Sequence, residues 1–193
     1  MLSKVKQVGK VEIKSVGKNL QIGDNVKFSG FGDQQLTLII GDDVRIEDDV
    51  RIVAGGTVIL SNNIILHNHV TIHGGGSCFI GPRTWVAQYT ALDATGDLEI
   101  GEDCCIGFNC QIWSHVARVP SLPNIRFHSR AKTVLKDRVW LMGGLITINP
   151  GVIVGEGCVI FSQSVVNKDT LPNKVYGGIP AKLIKKYDSP YNK

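Results

Sequence analysis

The chain has 193 residues, of which 43% are hydrophobic and 20% charged, and its formal net charge is +4 at pH 7. This is the composition of a water-soluble protein with one buried core. No run of residues approaches the roughly 18 consecutive apolar positions that a membrane span needs. The lysine-rich start has no apolar segment of the kind found in secretory signals, so we expect a cytoplasmic protein without membrane insertion. The charge is also too mild, without an aromatic or helical reading element, for a nucleic-acid-binding protein.

Aliphatic residues recur at intervals of six along most of the chain. The first run consists of IGDDVR, IEDDVR and IVAGGT, which begin at residues 40, 46 and 52. Later runs pass through Ile80, Val86, Ile100, Ile106, Ile148, Val154, Ile160 and Val166. This spacing does not fit an amphipathic helix, whose apolar positions recur at three and four residues. The sequence predicts an internal repeat instead.

A period of six fits a short strand followed by a bend. Each aliphatic residue then returns to the same inward place on one wall of a prism. Three walls make one coil, and stacked coils satisfy each other's backbone hydrogen bonds while the aliphatic residues form the core. Glycine, aspartate and asparagine at the bends tolerate the positive φ of tight corners. We therefore predict an all-β chain that forms a parallel β-helix.

The five cysteines fit the same repeat. They have neither the spacing of a zinc knuckle nor that of a disulfide framework. Cys104, Cys110 and Cys158 fall where the repeat requires a small inward residue. Since a free cysteine behaves as a small hydrophobic residue, we expect these three in the core.

The repeat is broken at four places, and solenoid insertions gather on the face that binds ligands. Two breaks are the glycine-containing stretches 27–36 and 73–79, and another is a one-residue slip before Ile148. The remaining break, residues 116–131, holds two prolines and three arginines and is the best candidate for a loop over an active site. We treat residues 1–193 as a single domain with a C-terminal cap over about 169–193. In that cap, PAKLIKKY is expected to form a short helix or strand.

Four segments near the C-terminus resemble the end of the repeat domain in bacterial hexapeptide-repeat O-acetyltransferases. They are VWL at 139–141, PGVIVGEG at 150–157, VVNKD at 165–169 and YGGIPAKLI at 176–184. The resemblance implies a left-handed β-helix that uses acetyl-CoA as co-substrate and requires no metal. It also implies a homotrimer that binds the coenzyme between neighbouring prisms. The compact form, without the helical N-terminal domain of serine acetyltransferases, favours a sugar or polysaccharide hydroxyl as the acceptor.

Acyl transfer to a hydroxyl needs a base near the acceptor and a donor aimed at the developing oxyanion. Histidine is the natural base near neutral pH. His115 follows two in-phase repeats and precedes the irregular loop, which is where the catalytic histidine of the resembling family occurs. His128, at the far end of the loop, is the second candidate for the base and, with Trp113, a candidate acceptor contact. The resemblance also implies a role for Trp140 near the thioester.

Coenzyme contacts are expected beyond the loop. Gly143 and Gly144 lack a Cβ, so their backbone amides can approach the thioester or the pantetheine arm. Ser162 occupies the corresponding bend one coil later. Lys182, favoured by the resemblance, and Lys185 suit the coenzyme phosphates as point charges.

Three alternatives remain open from the sequence. Transfer to the amino group of a nucleotide sugar is the nearest one. His67, His69 and His73 lie close in sequence and suggest a zinc enzyme similar to the gamma-class carbonic anhydrases, because imidazole is a common metal ligand. A non-catalytic β-helix scaffold is the third.

Overall fold

The computed structural model describes residues 2–118 and 127–188, and it is a parallel β-solenoid of three walls. A 3-10 helix at Leu2–Lys4 precedes the first strand. Wall 1 contains β1 (Lys6–Val8), β4 (Lys27–Gly30), β7 (Arg51–Ala54), β10 (Thr71–Gly74), β13 (Ala91–Asp93), β16 (Gln111–Ile112), β21 (Thr147–Ile148) and β24 (Val165–Val166). The predicted β-helix is confirmed, and no helix in the described part of the chain is long and apolar enough to cross a membrane.

After each strand of wall 1 except β24, the chain passes through wall 2 and then wall 3. Wall 2 contains β2 (Val11–Val16), β5 (Leu36–Ile40), β8 (Thr57–Leu60), β11 (Cys78–Ile80), β14 (Leu98–Ile100), β19 (Thr133–Leu135) and β22 (Ile153–Val154). Wall 3 contains β3 (Gln21–Ile22), β6 (Arg45–Ile46), β9 (Ile65–Leu66), β12 (Trp85–Val86), β15 (Cys105–Phe108), β20 (Trp140–Gly144), β23 (Val159–Ile160), β25 (Lys174–Gly177) and β26 (Lys182–Asp188). All these strands pair in parallel except β25 with β26.

The core is a set of aliphatic columns, one along each wall. On wall 3, Ile46, Leu66, Val86, Ile106, Leu141 and Ile160 are in register and fully buried. Cys104, Cys110 and Cys158 are buried in the same core, as predicted. Burial raises the pKa of the Cys104 thiol to about 12, so this thiol stays protonated and packs as an apolar group.

Tight corners need residues that tolerate positive φ. Asp43, Asn63 and Asp103, between walls 2 and 3, have φ values of 57°, 59° and 55°. Short polar side chains favour this conformation because they form local hydrogen bonds. At the corners between walls 2 and 3, the step from one inward residue to the next is six residues, as from Leu60 to Leu66.

The corner between walls 1 and 2, which we call the expanded corner, is longer in every coil except the last, where Ile148 and Val154 are six residues apart. The step is eight residues from Ile52 to Leu60, from Ile72 to Ile80 and from Leu92 to Ile100. From Ile112 to Leu135 the step is 23 residues. Three of the four predicted breaks, 27–36, 73–79 and 116–131, therefore meet at this edge of the prism.

The longest break is more regular than predicted from its sequence. Its ends form an antiparallel pair of strands, β17 (His115–Arg118) and β18 (Phe127–Arg130). The one-residue slip is a bulge, at which the register between Ile106 and Phe108 shifts against β20. In the C-terminal cap, PAKLIKKY contributes to strand β26, so the strand alternative is the correct one.

Candidate functional site

A buried carboxylate and a histidine form a close pair at the expanded corner. Asp93 ends β13 and is 1% exposed, whereas His115 begins β17 one coil later. The Nδ1 atom of His115 lies 2.6 Å from Oδ2 of Asp93. An ionised carboxylate only accepts hydrogen bonds, so Nδ1 carries the proton and donates it. The pair therefore fixes the tautomer of His115 and turns Nε2 away from Asp93.

Asp93 is held ionised by the groups around it. Burial alone would raise its pKa. Hydrogen bonds from Thr95, His115 and the Ser114 backbone outweigh burial and hold the pKa of Asp93 at about 2. Thr95 Oγ1 donates to Oδ1 at 2.5 Å, and the Ser114 and His115 amides donate to Oδ2 at 2.8 and 3.0 Å. Asp93 is thus a fixed negative charge at neutral pH.

A cavity of about 610 Å³ opens beside this pair. It lies between wall 1 and the hairpin of β17 and β18, and His115 is part of its lining. The other lining residues are Trp113, Val116, Ala117, Ser129, Ala131, Thr147, Asn149, Pro150 and Asn167. The cavity is large enough for a small ligand and combines apolar walls with amide and hydroxyl groups. We call it the His115 cavity.

His73 lies on the other side of Asp93. Its Nε2 is 3.9 Å from Asp93 Oδ1, and its Nδ1 is buried without a hydrogen-bond partner in the described part of the chain. Burial lowers the pKa of His73, and nearby His115 lowers it further, against an opposing effect of Asp93. The Trp113 ring is edge-on to both histidines, with centroids 6.2 Å from His73 and 6.1 Å from His115. His73 is therefore a neutral neighbour of the Asp93–His115 pair.

The predicted coenzyme residues Gly143 and Ser162 lie together at a different edge. They line a cavity of about 490 Å³ between walls 3 and 1, together with Met142, Phe161, Gly177, Gly178 and Ile184. Gly143 has φ of +84°, and a Cβ there would come within 2.9 Å of the Ser162 Cβ. Glycine is thus required both by the backbone and by the space. We call this the Gly143 cavity.

The other predicted coenzyme residues are near this edge. Gly144 follows Gly143 in β20 and is paired with Phe108. Lys182 is exposed and pairs with Gly177, which lines the Gly143 cavity. The backbone of Lys185 continues β26, but its side chain lies outside the described residues.

Trp140 and His115 are not brought together within one chain. Trp140 lies on wall 3 and is 38% exposed, beside a cavity that includes Trp85 and Arg138. His115 is at the edge between walls 1 and 2. His128 faces Ala117 in the backbone pairing of the hairpin, and its side chain is also outside the described residues.

The three clustered histidines point to different surroundings. His67 contacts Glu47 at 2.9 Å, His69 stacks on Tyr89 with centroids 4.6 Å apart, and His73 is beside Asp93. The described residues contain no group of three histidine, cysteine or acidic side chains arranged to hold a metal ion. Within the described part of one chain, these three histidines therefore do not converge on one site.

Sequence reasoning missed Asp93 and its supporting residues Thr95 and Ser114. Asp93 directly follows the inward Leu92, at a position that faces outward on a regular strand. Its burial depends on the eight-residue corner and on His115 from the next coil, neither of which a six-residue period reveals. An acidic residue about one coil before the candidate histidine was the available signal.

No protein-family model matches the chain. Among curated proteins, it is 32% identical over 125 residues to an Escherichia coli K12 protein named for O-acetyl transfer in lipopolysaccharide biosynthesis. That match covers 60% of this chain and 63% of the relative. A galactoside O-acetyltransferase of the same organism is 43% identical over 49 residues, which is 25% of this chain and 24% of the relative. The chain thus spans less than two thirds of the length of these relatives.

Two solved structures share the fold. The crystal structure of the polySia-specific acetyltransferase NeuO has a TM-score of 0.75 at 24% identity, covering 93% of this chain and 80% of that one. A variant of AntD, an N-acyltransferase from Bacillus cereus solved with dTDP and coenzyme A, has a TM-score of 0.60 at 22% identity. That match covers 90% of this chain and 84% of AntD. Together with the repeat and the solenoid, these similarities show that the chain has the β-solenoid fold of hexapeptide-repeat acetyltransferases and resembles such enzymes in part of its sequence.

Proposed function

We propose that this protein is an acetyl-CoA-dependent acyltransferase that acetylates a hydroxyl group of a sugar or polysaccharide precursor. The observation that carries the proposal is the Asp93–His115 pair, because it holds an imidazole in one tautomer at the edge of a ligand-sized cavity. General acid–base catalysis requires this kind of oriented base. Similarity to hexapeptide-repeat acetyltransferases favours acetyl-CoA as the donor, and the O-acetyl transferases among the relatives favour a hydroxyl acceptor.

In the proposed reaction, Nε2 of His115 removes the proton from the acceptor hydroxyl. The oxygen attacks the thioester carbonyl of acetyl-CoA, and a tetrahedral oxyanion forms. Collapse of this intermediate breaks the carbon–sulfur bond, and the imidazolium returns its proton to the departing thiolate. Asp93 remains ionised throughout and stabilises the imidazolium, as a buried carboxylate does beside a catalytic histidine.

The two halves of the proposed site require a second copy of the chain. Within one prism, the His115 cavity and the Gly143 cavity occupy different edges. A neighbouring prism could place its Gly143 cavity and Trp140 against His115 of the first. We therefore propose a homotrimer in which each active site lies between two subunits. Backbone amides near Gly143 and Gly144 would then stabilise the oxyanion, with Trp140 near the thioester.

The coenzyme contacts are proposed on the same basis. Gly143 and Ser162 would bind the pantetheine arm, while Lys182 and Lys185 would meet the phosphates as point charges. Trp113 and His128 would contact the acceptor. An amino group of a nucleotide sugar is the second choice of acceptor, because AntD is an N-acyltransferase of the same fold.

The test is a His115→Ala substitution assayed by coenzyme A release from acetyl-CoA with a panel of neutral sugars, polysaccharides and amino sugars. We expect the variant to lose at least about 10²-fold in kcat while retaining its fold and its oligomeric state. His69→Ala is a matched control, since this histidine is exposed at another corner. Retained activity in the His115 variant would overturn the assignment. Exclusive transfer to amino sugars would replace the hydroxyl acceptor.

A further inference from the structure

The outward face of wall 1 carries a column of stacked cations. Lys6 is paired in register with Lys27, and Lys27 with Arg51. Their neighbours Phe28 and Ile52 are fully buried, so the cations project from the opposite face of their strands. Strands in a sheet are about 4.8 Å apart, so three positive charges lie within about 10 Å along the prism. We call these three residues the basic column.

The basic column has no carboxylate partner in an ion pair within the part of the chain that the structure describes. The nearest acidic side chains by sequence are at the corner between walls 3 and 1, and each has another partner. Asp24 pairs with Lys4 at 3.6 Å, Asp48 accepts a hydrogen bond from the Asp24 amide, and Asp49 is 3.8 Å from His69. The cations are thus available to an external anion.

The basic column leads directly to the proposed active site. Above Arg51 the same register continues through Thr71, Ala91 and Gln111 to Thr147. Thr147 is part of the lining of the His115 cavity. The four steps from Arg51 to Thr147 span about 19 Å, and the positions between them are small or neutral. The face is therefore a straight track, with cations at one end and His115 at the other.

We infer that wall 1 binds an extended anionic polysaccharide whose acceptor hydroxyl lies in the His115 cavity. This inference rests on the proposed function and specifies its acceptor as a linear glycan with carboxylates on successive units. A row of single cations matches single charges repeated along a chain, and lysine and arginine both bind carboxylates. The register positions Thr71, Ala91 and Gln111 carry no aromatic side chain for stacking bases, but His73 and Trp113 lie on the same wall, so the test must separate a polysaccharide from a single-stranded nucleic acid.

The test is the binding of a fluorescently labelled polysialic acid chain to the full-length protein, measured by anisotropy. The variant is Lys6→Gln, Lys27→Gln and Arg51→Gln combined. The matched control is Lys10→Gln, Lys14→Gln and Lys18→Gln, which removes the same charge from exposed positions of the first coil that belong to no strand of wall 1. We expect the column variant to bind about tenfold more weakly at low salt, because exposed charge contacts are each modest. High salt should remove the difference.

Three outcomes would overturn the inference. They are equal weakening by both triple variants, absence of binding by the wild type, and equally tight, column-dependent binding of single-stranded DNA. Coenzyme A release with a short neutral sugar separates the inference from the proposed function. The column variant should leave this release unchanged. If the protein binds the polysaccharide but no added acceptor causes coenzyme A release, the proposed function alone is contradicted.

Discussion

The expanded corner and the corner between walls 2 and 3 differ in both length and content. At the corner between walls 2 and 3, each step between inward residues is six residues long. This corner carries surface ion pairs between neighbouring coils, such as Arg83 with Asp103, whose Nε and Oδ1 atoms are 2.7 Å apart. At the expanded corner, the extra residues enclose the ionised carboxylate of Asp93 and position His115 against it. The six-residue corners contribute to the stability of the fold, whereas the expanded corner brings together the polar groups of the candidate site. Four substitutions test this division.

The largest effect is expected at Asp93. In Asp93→Asn the side chain loses the negative charge that would stabilise the imidazolium of His115, and its NH2 group would replace one of the two oxygens that accept hydrogen bonds from Thr95, Ser114 and His115. We expect kcat for acetyl transfer to fall by about 10²- to 10⁴-fold, with the fold retained. The measurement is coenzyme A release, with circular dichroism as the folding check. Asp97→Asn is the control, since Asp97 lies at the same corner, is exposed, and accepts a hydrogen bond from the Ser77 amide through its side chain. Similar activities in both variants would remove Asp93 from the site.

A substitution in the regular part of the solenoid should lower the free energy of unfolding without a specific effect on acetyl transfer. Leu66→Ala removes a fully buried side chain from the wall 3 column and should cost about 2–5 kcal/mol in unfolding free energy. Leu171→Ala, at a residue that is 61% exposed, should change it by less than about 0.5 kcal/mol. Urea unfolding of both variants measures the difference. A small loss at Leu66 would mean that the column is not tightly packed.

Gly143→Ala tests the other edge of the prism. The new Cβ would crowd Ser162 and would sit on a backbone with φ of +84°. We expect KM for acetyl-CoA to rise about tenfold, with a smaller change in kcat. Gly32→Ala controls for backbone strain, because Gly32 has φ of +58° and nothing within 4 Å of the added atom. If both variants show the same KM, Gly143 does not contact the coenzyme.

The smallest effect concerns His73 and pH. A histidine with a lowered pKa in the folded state binds fewer protons there than in the unfolded chain, where its pKa is about 6.5. Its contribution to stability is therefore lost as pH falls below about 6.5 and is recovered as pH rises. His73→Asn should reduce the loss of unfolding free energy below about pH 6.5 by less than about 1 kcal/mol. Urea unfolding at about pH 7.5 and pH 5.5 checks how the free energy of unfolding changes with pH, and an unchanged slope would contradict a lowered pKa of the half-buried His73.

Much of the fold could be predicted, because it depends on the six-residue spacing of aliphatic residues in the sequence. Inward residues such as Ile106 and Ile160, and the cysteines between them, follow from six-residue spacing alone. The hairpin of β17 and β18 was not predictable, since prolines and arginines in its sequence favour a loop and its strands pair only with each other. The bulge near Gly143 was visible as a slip, but its cavity depends on Ser162 and Gly178 from later coils.

The candidate site was predictable only in part, for a related reason. His115 was identified from its place between the repeat and the longest break. Asp93 was missed because its role depends on contacts between coils. Eight-residue corners change which residues of successive coils are neighbours, so a carboxylate 22 positions before His115 becomes its hydrogen-bond partner. A partner at this sequence separation can be predicted only when the number of residues in each coil is known.

The position of the Asp93–His115 pair along the prism has a consequence for local unfolding. In a solenoid, each coil is stabilised mainly by its two neighbours, so opening begins at the ends and moves inward. Four strands of wall 1 precede β13, and two follow β16. Backbone amides around the pair should therefore exchange with solvent more slowly than those of β1 or β24. A protein whose terminal coils open repeatedly would still keep its proton-transfer residues in place.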